Sequence, residues 1–218
     1  MPQITSIEPQ KRKTGRFNVF LDGNFAFGID QFSLLESKLK VGKSLTDEEI
    51  KKIITKEEIA KLMDLATNFL SYRPRSEKET KDYLTKKISQ KENITHIQAK
   101  DSPLISQIIT KLKKYRYLND FEFAKWWVDS RTRSRPKGPV LIKFELKRKG
   151  IEDNIVQKAL SKVQDEGELA KHALQKKLKR WQKLSNFDFK KKVYQYLAAR
   201  GFSFEAIKEA FAFYQKKR

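Results

Sequence analysis

The feature that most constrains the fold is a pattern that the chain contains twice. Residues 143–160 align with residues 194–211 at a shift of 51 positions. The apolar and glycine positions agree, as in Leu146 with Leu197, Gly150 with Gly201 and Val156 with Ile207. Each copy predicts an amphipathic helix that ends at a glycine able to adopt the left-handed conformation, followed by a second helix. We therefore expect stacked helical hairpin repeats, because each unit is too small to bury its apolar face alone.

Apolar residues at helical spacing extend this array in both directions. We predict a first helical repeat over 59–118, interrupted by a polar insertion at about 89–101, a second over 119–167 and a third over 168–218. The expected fold class is mainly α, with tandem repeats in an elongated, curved arrangement. A net charge of +21 also favours an elongated chain of units over a compact catalytic globule.

The first 58 residues differ from the rest and predict a small β-appendage followed by a linker helix. Apolar residues alternate on both sides of Asp22-Gly23, which is a strong hairpin signal. Ile4 and Ile7 supply a third strand. Phenylalanines at positions 17, 25 and 27 could stack on nucleobases, but their alternation on one face favours a place in the core.

Helix starts are marked along the chain by capping signals. Three capping boxes are predicted, at Thr46–Glu49, Thr55–Glu58 and Ser76–Glu79. Asp120 is expected to cap a further helix, and Ser102-Pro103 has a proline suited to the first helical position. Acidic residues in such first turns complement the helix dipole, so they do not predict a metal site.

The positive charge rises toward the C-terminus. Residues 1–58 carry 10 basic and 9 acidic side chains, whereas residues 168–218 carry 14 and 4. A field of this size predicts a polyanionic partner, nucleic acid before a membrane surface, although a soluble basic protein without such a partner remains the alternative. The chain has no cysteine, so disulfides and thiolate metal sites are excluded. No apolar run approaches the roughly 18 residues of a membrane span, and we expect a cytoplasmic location.

The candidate binding residues are cations in the second and third repeats. From Arg131 to Lys149 the chain has eight basic residues and one acid, Glu145. A second cluster follows the helix back at 176–183, where the absence of interleaved acids favours binding over a merely solvated face. The predicted set is Arg131, Arg133, Arg135, Lys137, Lys147, Arg148, Lys149, Lys176, Lys177 and Arg180. Contacts from such residues to phosphates give affinity without reading sequence.

Signals for catalysis are missing. His96 and His172 have no partner at metal or triad spacing. Gly42-Lys43-Ser44 resembles the end of a phosphate-binding loop, but Ser37 stands where that loop needs a glycine. The carboxylates form no spaced set for two-metal cleavage. We therefore predict no enzyme activity, no metal and no cofactor.

Three segments resemble the signature segments of the RecX family, the regulators of the bacterial RecA recombinase. They are 73–84, 117–124 with Trp127 and Arg131, and Lys149-Gly150-Ile151. The resemblance covers about 59–160, and the third repeat extends it to the C-terminus. Two features depart from it: the first repeat has no glycine equivalent to Gly150, and the first 58 residues resemble the longer versions of the family.

The resemblance implies three tandem three-helix repeats and a non-enzymatic modulator that lodges in the groove of the RecA–single-stranded DNA filament. Such a modulator would depress ATP hydrolysis and strand exchange. The implied partners are the RecA filament and single-stranded DNA, with non-specific binding of duplex DNA. No membrane partner is expected. Since no coiled-coil heptads supply a dimer interface, we expect a monomer.

Two other functions remain open from the sequence. A sequence-specific helix-turn-helix repressor would have one recognition helix with base-reading side chains and a two-fold dimer on a palindrome. Here the second helices of the repeated pattern, at 153–162 and 204–215, are mixed in charge. A nuclease would cleave DNA in the presence of magnesium.

Overall fold

A computed structural model of the protein describes residues 1–11, 14–133, 135–161, 163 and 165–217. The chain divides into two units, which are described separately. The first unit contains Met1–Asn68 together with Ser106–Ile108, and the second contains Phe69–Ile105 together with Ile109–Arg218. In the described ranges no helix is long and apolar enough to cross a bilayer.

A three-stranded antiparallel sheet opens the first unit. Its order is β1 (Ile4–Pro9), β2 (Arg16–Leu21) and β3 (Asn24–Asp30). Asp22 and Gly23 form the turn between β2 and β3 with φ of 48° and 82°, as the Asp-Gly signal predicts. The predicted hairpin and third strand are thus confirmed. The apolar core beneath the sheet consists of Ile4, Val19, Phe27, Ile29, Leu39 and Leu45.

The expectation that three phenylalanines share the core is wrong for one of them. Phe27 is buried and Phe17 packs against the core, but Phe25 is 60% exposed. The register of β2 and β3 shifts between Val19 and Phe20, and this irregularity interrupts the strict alternation that the sequence suggested. Phe25 instead meets Phe20 edge to face, with ring centroids 6.0 Å apart.

Two helices follow the sheet, α1 (Gln31–Glu36) and α2 (Asp47–Ser71). The predicted capping box at Thr46 is confirmed, since the Glu49 N–H donates to Thr46 Oγ1 and the Thr46 N–H donates to Glu49 Oε2. The predicted box at Thr55–Glu58 is wrong, because α2 runs through it without a break. Glu57, one of the two acids of this predicted box, is buried and forms an ion pair with Arg16 at 2.9 Å. Its side chain therefore contacts the β-sheet and does not cap a helix.

The second unit consists of helices in the residues described. They are α3 (Glu77–Glu92), α4 (His96–Lys100), α5 (Pro103–Lys114), α6 (Asp120–Arg133), α7 (Pro139–Arg148), α8 (Asp153–Leu160), α9 (Glu166–Trp181), α10 (Asn186–Ala198) and α11 (Phe204–Gln215). Helices α6 to α8 enclose one apolar cluster and α9 to α11 enclose another. These clusters are the cores of the second and third repeats, which confirms the predicted helical-repeat fold.

Left-handed residues end the second helix of each repeat. Gly150 follows α7 with φ of 79°, and Gly201 follows α10 with φ of 78°, as predicted. In the first repeat, Asn93 ends α3 with φ of 52°. Asparagine tolerates this conformation better than other non-glycine residues do, so it replaces the glycine that the first repeat lacks.

Of the helix starts predicted in the second unit, those at Ser76 and Ser102 are confirmed and that at Asp120 is wrong. The capping box of α3 forms between Ser76 and Glu79. At α6 the cap is Asn119, whose Oδ1 accepts from the backbone N–H groups of two following residues. Asp120, which the sequence predicted as the cap, accepts instead from the Glu77 N–H at 2.8 Å.

Candidate nucleic-acid interface

Glu145 on α7 holds two of the predicted cations. Its Oε2 accepts from Arg131 Nε at 2.8 Å and from Trp127 Nε1 at 2.9 Å, and its Oε1 forms a short contact with Lys137 Nζ. Burial works to raise the pKa of Glu145, but the hydrogen bonds from Lys137, Arg131 and Trp127 lower it. The carboxylate therefore stays ionised and fixes the loop between α6 and α7 against α7. Part of the charge of this loop is compensated within the protein.

Lys149 is engaged in a contact between repeats. Its Nζ lies 2.7 Å from Glu79 Oε1, and Arg73 Nη2 lies 2.9 Å from the same oxygen. Burial works to raise the pKa of Glu79, yet hydrogen bonds from Arg73, Lys149 and the Ser76 N–H lower it to about 2. Lys149 thus helps to join the first repeat to the second, in addition to any role at the surface.

Two more predicted cations have weak, exposed partners. Lys147 Nζ lies 2.9 Å from Asp153, and Arg133 lies 4.0 Å from Asp129. Exposed pairs of this kind contribute little and are readily exchanged for another anion. Arg148 is exposed, and its guanidinium carbon lies 5.8 Å from the centroid of the exposed Phe144 ring. These three residues stay available to a polyanion.

The structure brings three predicted cations together around one cavity of about 270 Å³. Arg135 comes from the loop before α7, and Lys176 and Lys177 come from α9. The remaining lining residues are Pro136, His172, Ala173, Tyr196 and Arg200. No carboxylate is found among the described residues that line this cavity. Arg180 also lies on α9, but it is not among the residues that line the cavity.

Sequence reasoning missed Arg200, His172 and Tyr196 as members of this site. Arg200 lies 4.5 Å over the Tyr196 ring, and Lys177 lies 5.7 Å from the same ring. The repeat alignment contained a signal for Arg200, since it matches Lys149 one repeat earlier. No local pattern marks His172 or Tyr196, because their proximity arises from the packing of α9 against α10.

An acidic cluster lies apart from the lining of this cavity. Carboxylate oxygens of Asp165, Glu168 and Glu209 lie within 4.8 Å of one another. Lys171 Nζ lies 2.8 Å from Glu168 and 2.6 Å from Glu209. The ammonium group supplies compensating charge to these acids, and the contact ties α9 to α11.

Sequence models of the RecX family match four segments of the chain. The "Regulatory protein RecX N-terminal domain" matches residues 2–46. The first, second and third RecX three-helix domains match residues 63–91, 119–160 and 164–211.

Relatives and solved structures of the same name cover most of the chain. Regulatory protein RecX of Bacillus pumilus (strain SAFR-032) is 41% identical over 212 residues, which are 96% of this chain and 76% of the relative. The protein of the same name from Bacillus subtilis (strain 168) is 40% identical over 213 residues, with the same coverage of both chains.

A crystal structure of regulatory protein RecX aligns with a TM-score of 0.68 at 27% identity and covers 95% of this chain and 98% of its own. A crystal structure of RecX from Lactobacillus salivarius aligns with a TM-score of 0.58 at 30% identity and covers 71% and 94%.

The fold and the site define a basic protein of tandem three-helix repeats. The chain belongs to the RecX family of regulatory proteins. This finding confirms the family resemblance that the sequence segments carried.

Proposed function

We propose that this protein regulates the RecA recombinase without catalysing a reaction of its own. It binds in the groove of the RecA–single-stranded DNA filament, and it lowers ATP hydrolysis and strand exchange. Family membership supports the RecA connection. The observation that carries the DNA part of the proposal is the cavity in which Arg135, Lys177 and Arg200 meet without a carboxylate among its described lining residues.

The binding mode follows from the type of residue that forms the site. Guanidinium and ammonium groups recognise phosphates through charge and geometry, and they carry no information about base sequence. Helices α8 and α11, which follow Gly150 and Gly201, are short and carry both signs of charge, which suits packing better than base reading. We therefore expect the protein to bind single-stranded DNA and, more weakly, duplex DNA. It acts as a monomer. An N-terminal segment at 1–58 precedes its three repeats, at 59–118, 119–167 and 168–218.

The DNA-binding step is tested by the salt dependence of affinity. Binding of a fluorescent thymidine oligonucleotide, measured by anisotropy between 50 and 200 mM salt, should weaken with a slope of about −2 or steeper in a plot of log affinity against log salt. A flat response would remove the electrostatic basis of the proposal. Equal affinity for random and selected duplexes is expected, whereas strong preference for one duplex would support the repressor alternative.

The regulatory step is tested by the rate of RecA ATP hydrolysis on single-stranded DNA. Titration with the wild-type protein should lower the rate, and the labelled DNA should remain intact when magnesium is present. An unchanged rate would contradict the regulatory role. Magnesium-dependent cleavage would support the nuclease alternative.

A further inference from the structure

We propose that the cavity between the second and third repeats binds one phosphate group of the single-stranded DNA backbone. The assignment rests on the proposed function, and it adds a specific site to a charged surface. The contact that joins one repeat to the next is seen at two places in the described part of the chain. In the first of them an acid, Glu79, binds both of the cations that meet there, and in the second no acid of the described residues does so.

The first joint connects α3 to α7. The N-cap of α3, Ser76, donates from its Oγ to the carbonyl of Lys149 at 2.8 Å, just after α7 ends. Lys78 packs against Gly150, where an added Cβ would lie 2.9 Å from the Lys78 Cβ. The start of α3, the second helix of the first repeat, thus contacts the end of α7, the second helix of the second repeat.

The second joint repeats this contact one repeat later, between α7 and α10. The N-cap of α7, Gly138, donates from its N–H to the carbonyl of Arg200 at 2.8 Å. An added Cβ at Gly201 would lie 2.4 Å from the Leu141 N. Arg200 Nη1 also donates to the Pro136 carbonyl at 3.4 Å.

The residues before the two N-caps correspond in sequence. Arg73-Pro74-Arg75-Ser76 precedes α3, and Arg135-Pro136-Lys137-Gly138 precedes α7. By this correspondence Arg135 takes the place of Arg73, and Arg200 takes the place of Lys149. Both joints therefore bring together a cation from the loop and a cation from the end of the following second helix.

The two joints differ at the third residue after the N-cap. In the first joint this residue is Glu79, which binds both Arg73 and Lys149. In the second joint the corresponding residue is Leu141, and Arg135 and Arg200 line an open cavity. Among the residues that the structure describes, no carboxylate lies within ion-pair distance of either arginine. The second joint thus has the cations of the first without the anion.

A phosphate group supplies the missing anion. A guanidinium group binds two phosphate oxygens in a planar fork, and a lysine contributes a point charge. Arg135, Arg200 and Lys177 provide these groups around one volume of about 270 Å³, and His172 adds a ring nitrogen. Arg135, His172 and Lys176 line the cavity and are exposed, so a continuous strand can reach these residues from solvent.

The test places the acid of the first joint into the second. Leu141→Glu should lower the affinity for a thymidine oligonucleotide about tenfold and reduce the salt slope by about 0.7, since one phosphate contact is replaced internally. Leu141→Gln is the matched control and should stay within about twofold of the wild type. Equal affinities and slopes for the two variants would overturn the proposal.

A second pair of variants keeps the test valid if Leu141→Glu fails to fold. Arg135 is exposed, so Arg135→Gln should fold normally and reduce the salt slope by about 0.7. Lys52→Gln, an exposed site with the same loss of charge, should leave the slope unchanged. Equal slopes for Arg135→Gln and Lys52→Gln would contradict the assignment.

Two further measurements separate this inference from its alternatives. Calorimetry with inorganic pyrophosphate tests a small phosphorylated ligand. Pyrophosphate binding that Leu141→Glu abolishes, together with unchanged oligonucleotide binding, would contradict the backbone assignment. RecA ATP hydrolysis tests the proposed function independently of the phosphate site. If Leu141→Glu weakens oligonucleotide binding but the wild-type protein leaves the rate of RecA ATP hydrolysis unchanged, the phosphate site is supported and the regulatory role is contradicted.

Discussion

Glu145 determines how much of the basic loop is free to act on a partner. Its carboxylate accepts from Trp127, Arg131 and Lys137, so one acid compensates two cations that the sequence marks as DNA-binding. Arg135, which lies between these two cations in the chain, lines the cavity instead. The cations between residues 131 and 137 therefore have different roles: Arg131 at the end of α6 and Lys137 in the following loop bind Glu145, and Arg135 lines the cavity.

Replacement of Glu145 separates these roles. Glu145→Gln should destabilise the protein by about 2 kcal/mol, because two partly buried cations lose their counter-charge. The same change should increase affinity for single-stranded DNA, since Arg131 and Lys137 become available to phosphates.

Thermal unfolding and oligonucleotide anisotropy measure the two effects. Glu122→Gln is the control, because Glu122 forms an exposed pair with Lys125 at 2.9 Å and its loss should change stability by less than about 0.5 kcal/mol. If both variants unfold at the same temperature, Glu145 has no special role in the loop.

Helix ends carry the contacts between repeats at the scale of the elements. Each second helix ends in a left-handed residue, and the start of the preceding second helix packs against Gly150 or Gly201. Glycine is required at Gly201 for two reasons, the positive φ and the absence of space for a Cβ.

Because the backbone of Leu141 lies so close to Gly201, a side chain at position 201 should destabilise the protein by more than the positive φ alone would. Gly201→Ala should destabilise the protein by more than about 3 kcal/mol, because a Cβ would overlap the backbone of α7. Gly42→Ala has a positive φ of 89° but nothing within 4 Å, so it should cost only about 1 kcal/mol. Urea unfolding midpoints compare the two variants, and equal shifts would show that the joint between the second and third repeats does not need close contact.

The first joint also predicts a dependence of stability on pH. Because the pKa of Glu79 is lowered from 4.5 to about 2 in the folded protein, its contribution is fully present above about pH 4.5 and is lost as the pH falls toward 2. Between pH 6 and pH 3 this loss amounts to at most about 2 kcal/mol.

Glu79→Gln removes the titrating group and should flatten the stability profile in this window. Unfolding free energies at pH 6 and pH 3 give the difference for each protein. A variant that loses as much stability as the wild type between these pH values would show that Glu79 is not the group responsible.

Over the whole molecule, the sequence predicted the repeats better than it predicted the pairing of charges. The alignment of Gly150 with Gly201 and the Asp22-Gly23 turn are local signals, and both predictions are confirmed. Glu79 and Lys149 lie 70 positions apart, so no local spacing indicates that they meet. The continuation of α2 through Thr55 likewise depends on packing, which a capping pattern does not reveal.

The predicted cations also illustrate what a charge count leaves out. Several of the predicted cations contact an acid, namely Arg131, Arg133, Lys137, Lys147 and Lys149. Net charge indicates a polyanionic partner, but it does not distinguish a cation that holds the fold from one that binds a phosphate. Only the arrangement of acids around each residue makes that distinction.

The most direct test of the account measures RecA ATP hydrolysis on single-stranded DNA with two charge-reversed proteins. Arg135→Glu combined with Lys177→Glu removes the cavity charge, and Lys51→Glu combined with Lys52→Glu makes the same change in net charge at exposed sites of the first unit. We expect the cavity variant to lose inhibition of RecA ATP hydrolysis and the control variant to inhibit as the wild type does. Equal inhibition by both variants would contradict it.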